Sequence, residues 1–92
     1  MAISIEEAAA LLNIEKERLM KDGLKAFVAE KLRQVRVETL TLYREYHISS
    51  LSELDQKINR GELSESDTLE DFARLDFLES EEQKLAELIT KL

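Results

Sequence analysis

"KDGLKAFVAEKLRQVRVETLTLYREY", residues 21–46, decides the fold. Its residues Leu24, Val28, Leu32, Val35, Leu42 and Tyr46 fall at spacings of three, four or seven, with Thr39 filling the gap and Phe27 widening the stripe. That period belongs to an amphipathic α-helix rather than to a strand. Met20 extends the stripe backward, and no strong stop lies between Ile14 and Tyr46. Unbroken, such a helix runs about 50 Å at about 1.5 Å per residue. A compact domain of this size has a radius of gyration of only about 12–13 Å. Either the helix breaks near Asp22-Gly23, or it stays long and a second chain covers its exposed stripe. Gly23 is the only plausible hinge, although a mid-helix glycine costs only about 1 kcal/mol. We expect a bend or break there, and a homodimer as well.

Composition agrees with helices. The chain has 92 residues, no proline and two glycines, so tight turns are few and elements are long. Leu, Glu, Lys, Ala and Arg dominate, all strong helix formers. The expected class is all-α, in one domain over residues 1–92. Without cysteine there is neither a disulfide framework nor a thiolate metal site. The longest apolar run, Ala8 to Leu12, falls far short of the roughly 20 residues that span a bilayer. Glu6 and Glu7 replace the basic start of a signal peptide, so a cytoplasmic protein without membrane contact is expected.

Flanking elements follow from their caps. Ser4-Ile5-Glu6-Glu7 is a capping box that opens a short helix over about 4–12, and Asn13 suits the break before the long helix over about 14–46. After a connector at His47-Ile48-Ser49, Ser50-Leu51-Ser52-Glu53 is a second capping box. It opens a helix over about 50–60 with Leu51, Leu54 and Ile58 inward. Gly61 ends that helix in a left-handed conformation, with Leu63 folding back. Asp67, with Glu70 behind it, is the expected cap of a last helix over about 67–91. Its stripe runs through Leu69, Phe72, Leu75, Leu78, Leu85, Ile89 and Leu92. Two long amphipathic helices flanking a short one suggest an antiparallel hairpin or bundle of three to four helices.

Charge is unevenly placed. Through Tyr46 there are 8 basic and 8 acidic residues; from His47 onward there are 5 and 12, which carries the whole net charge of −7. Phosphate repels such a chain, so nucleic acid is an unlikely partner and a basic protein is the natural match. Arg18, Lys21, Lys25, Arg33, Arg36 and Arg44 fall within an arc of roughly 140° opposite the apolar stripe. They suit either a phosphate backbone or the acidic last helix of the same or a second chain.

Catalytic chemistry has no support. His47 is the single histidine, and no nucleophile or base can be placed beside it. The acids of "ESEE", 79–82, with Asp71 and Asp76, lack the Glu-x-x-His pairs of di-iron bundles and read as a solvated face. There is no glycine-rich phosphate loop. The expectation is a non-enzyme with no catalytic residue, metal site or cofactor.

Two resemblances bear on function. "IEEAAALLNI", 5–14, with Leu19, resembles the first helix and turn of excisionase-like and MerR-like helix-turn-helix families. It departs where those families place a glycine (Asn13 here) and a small polar residue (Glu15 here). That resemblance implies a small dimeric DNA-binding regulator contacting DNA through Lys16, Arg18, Lys21 and Lys25, although Glu15 and Glu17 would face the phosphates. The order of a long helix, "ISSLSELDQKINRGEL" (48–63) and "DTLEDFARLDFLESEEQKLAEL" (67–88) is similar to small helical prokaryotic, archaeal-type antitoxin proteins. Tyr46, the serines at 49–52, Gly61 and "EDF" at 70–72 carry that resemblance. It implies a non-enzymatic protein whose acidic C-terminal half binds and neutralises a basic partner such as a toxin. The surface expected to do so is Phe72, Phe77 and Leu78, with Asp71, Asp76 and Glu79. Phe77 lies off the main stripe.

Overall fold

The computed structural model describes residues 2–92 and is all-helical. Its elements are α1 (Ile5–Leu12), α2 (Lys16–Tyr46), α3 (Leu51–Asn59) and α4 (Glu65–Thr90). Helix α2 is continuous through Gly23, so the expected bend or break is absent. The glycine costs too little to outweigh the strong helix formers around it. The conflict between helix length and compactness is resolved by shape. The molecule measures 61 × 29 × 16 Å with a radius of gyration of 19.2 Å, well above the value for a compact chain.

Left-handed residues separate the helices. Asn13 (φ 57°) closes α1, His47 (φ 56°) closes α2, and Gly61 (φ 76°) follows α3. Each terminus returns backbone N–H groups to the last turn, for example Ile48 N–H to Tyr43 O and Glu62 N–H to Lys57 O. Leu63 packs against the core, as the Gly61 reading expects. At their starts, Ser4 accepts from Glu7 N–H and Ser50 from Glu53 N–H, each at 3.1 Å. Glu53 reaches one residue beyond the expected box, accepting from Ser49 N–H at 3.0 Å and Ser49 Oγ at 2.6 Å. The cap of α4 is Ser64, not Asp67. Its hydroxyl accepts from Asp67 N–H, which places Asp67 inside the first turn, where its charge suits the helix dipole.

Helices α2 and α4 pair antiparallel, since contacts at lower α2 numbers meet higher α4 numbers: Tyr46 with Asp71, Arg36 with Glu82. The densest core lies where α3 caps this hairpin. Leu54, Leu75 and Leu78 are fully buried there, with Leu42 and Ile48 beside them. Val28 and Leu32 continue the buried seam toward the other end, where α1 packs on α2 through Ala9. We call the α3 end closed and the α1 end open. Buried threonines in the seam satisfy their own hydroxyls on backbone carbonyls, Thr39 on Val35 and Thr68 on Ser64, each at 2.8 Å.

Candidate interaction surfaces

Three of the six residues expected to bind a partner serve the fold instead. Leu78 is 1% exposed, sealed in the core. Its position in the heptad-like stripe is what buries it, and it offers a partner no surface. Glu79 Oε2 accepts from Tyr43 Oη at 2.6 Å and from Leu51 N–H at 2.8 Å. It thereby ties α2 to α4 and supplies an acceptor to the first residue of α3. Asp71 accepts a short hydrogen bond from Tyr46 Oη. Burial, followed by the bond to Glu79, pushes the Tyr43 phenol well above its ordinary range. The Asp71 carboxylate, then burial, pushes Tyr46 up to about 12. Tyr43 was missed from sequence. Its one sign was a tyrosine three residues before Tyr46, on the flank of the same stripe.

The other three stay accessible but do not form one patch. Asp76 is exposed. Phe77 is 52% exposed, with the Arg74 guanidinium 5.3 Å from its ring centroid. Phe72 packs half-buried on the core and floors a notch of about 200 Å³ between α3 and α4. Ile58 and Leu69 complete its apolar lining, while Asp55 and Glu65 stand at its rim. Glu62, Asp67 and Glu70 are exposed nearby, so the closed end concentrates the acidity.

At the open end two of the four candidate DNA-contacting residues are ion-paired, all four remaining exposed. Lys16 Nζ sits 2.6 Å from Glu6, and Arg18 Nε 3.5 Å from Asp22. Lys21 lines an apolar recess with Ile5, Met20 and Leu92, and Lys25 is exposed. Of the basic arc, Arg36 pairs with Glu82 of α4 at 3.1 Å, and Arg33 with Glu30 at 2.7 Å. Among the described residues no group of acids or His is placed to hold a metal ion, and no helix is long and apolar enough to cross a membrane.

A family model described as the uncharacterized protein MJ0235 family matches residues 1–92. The chain belongs to that family. This MJ0235-family protein is also similar to uncharacterized protein MJ0235 of Methanocaldococcus jannaschii, at 26% identity over 76 residues, covering 83% of this chain and 93% of the relative. No solved structure matches.

Proposed function

We propose that this MJ0235-family protein is a non-enzymatic protein–protein interaction module of antitoxin-like type, whose acidic closed end receives a basic partner protein. The notch between α3 and α4 carries the reading. Its floor of Ile58, Leu69 and Phe72 suits the aliphatic stem of a lysine or arginine, and Asp55 and Glu65 stand where the cationic head would emerge. Leu69 is 63% exposed amid these acids, so the apolar lining is open to a partner. A basic partner would be steered there by the local excess of acid, so association should be fast and weaken steeply with salt.

The test is co-purification with the product of the neighbouring gene. A complex should form at low salt and be lost on raising the salt. It should also weaken about tenfold or more in Asp55→Asn/Glu65→Gln, whose side chains are not core elements. A complex indifferent to salt and to that pair would overturn the acidic end as the docking surface. No complex at all would remove the antitoxin-like reading.

A further inference from the structure

One face of the α2–α4 hairpin is covered by neither α1 nor α3, and its side chains are arranged in rungs. A groove of about 380 Å³ runs between the helices there, with Phe27, Lys31 and Glu38 from α2 opposite Leu85, Glu81 and Arg74 from α4. Arg74 reaches across this groove to Glu38 in a bidentate contact, 2.8 Å from Nη2 to Oε1. Lys31 with Glu81, and Phe27 with Leu85, line the same groove and stand in the same numerical relation as Glu38 with Arg74, so each pair shares the offset of that contact. The same spacing carries on to Leu24 with Leu88 and to Met20 with Leu92, and Leu24, Met20 and Leu92 line one apolar recess at the open end, where Ile5 and Ala8 of α1 form the other wall. Phe27 is 62% exposed and Leu24 50%, although Leu24 lies close to the angular position of the buried seam.

The charges on this face form a checkerboard. Lys31 of α2 and the acid Glu81 of α4 line the groove together; seven residues along each helix, the acid Glu38 of α2 pairs with Arg74 of α4. A two-fold axis parallel to the hairpin lays α2 of one copy over α4 of another at the same level. Every charge then meets its opposite: Lys31 over Glu81 of the second copy, Glu38 over Arg74, and the reverse. The apolar rungs at Leu24, Phe27, Leu85 and Leu88 close on one another in the same operation. From Met20 to Glu38 the face runs about 27 Å along α2. Beyond Glu38 the face turns acidic with Glu45, Asp67 and Glu70, all exposed, and the match ends.

We infer that this face is the seat of a second copy of the chain, giving a parallel two-fold four-helix bundle with both acidic ends on the same side. The inference does not depend on the notch, and each can fail alone. The chain has no cysteine or other complication for sizing, and the probe is the protein itself, measured by sedimentation at low ionic strength, where exposed charges are least screened. The wild type should be a dimer. Lys31→Glu and Glu81→Lys should each raise its dissociation constant about tenfold or more, and the double variant should restore it. Phe27→Asp should give a monomer with unchanged helical circular dichroism, since that side chain supports no core. A wild type monomeric at all accessible concentrations overturns the inference, as does a dimer that ignores both the charge changes and Phe27→Asp. Rescue of Lys31→Glu by Glu38→Lys instead of Glu81→Lys means α2 lies over α2 of the second copy, and overturns the parallel arrangement.

Discussion

Glu79 illustrates how a residue that looks like surface acid becomes structural. It sits in a run of acids, "LESEE", yet one oxygen serves both a tyrosine hydroxyl and the amino end of α3. Asp71 does the parallel job for Tyr46 a little nearer the loop. Both phenols are held protonated by anionic acceptors, so both belong to the class of groups whose folded pKa is raised. Their contribution to stability is therefore complete below the ordinary tyrosine value of 10.0 and is lost as pH climbs toward the folded value, about 12 for Tyr46. A spectrophotometric titration should show almost no tyrosinate until the pH passes the ordinary value, with ionisation and unfolding then arriving together. Free-tyrosine behaviour of Tyr46 in the folded protein would show that the Asp71 contact does not form. From sequence alone the acids were legible as acids, but which of them face inward was not. That depends on the register between α2 and α4, and a single helix stripe does not encode its neighbour's phase.

At the level of elements, stops and starts were legible because their chemistry is local. Asn13, Gly61, Ser4 and Ser50 act where their side chains or their backbone freedom said they would. Two readings failed for one shared reason. Gly23 is not a hinge and Asp67 is not a cap, because in each case continuing the helix costs little. Ser64 stands three residues before Asp67 and competes for the same role, and α4 takes the earlier cap and gains a turn. A methyl group at Gly23 would meet nothing within 4 Å in an ordinary helical backbone. Gly23→Ala should therefore stabilise the protein by about 1 kcal/mol, raising the melting temperature by roughly 4–8 °C. Gly61→Ala, at φ +76°, should move it the other way by a similar amount. A loss on Gly23→Ala would restore the hinge.

Across the whole molecule, packing is polarised. The fully buried side chains Leu54, Leu75 and Leu78 sit at the closed end, while Met20 and Leu24 extend the same seam into solvent at the other. A 31-residue helix therefore joins a well-anchored half to a half where Val28 and Leu32 are its last buried side chains and Met20 and Leu24 lie exposed. Local opening free energies should fall along α2 toward its start. Amides of residues 20–27 should exchange with deuterium faster than those of 28–42 in dilute solution. As protein concentration rises, protection should spread toward the open end, because docking on the bare face would order what the monomer leaves loose. Uniform protection at every concentration would contradict both halves of that expectation. The overhang thus makes α2 a reporter of its own company: how long one helix stays zipped records whether the chain is alone.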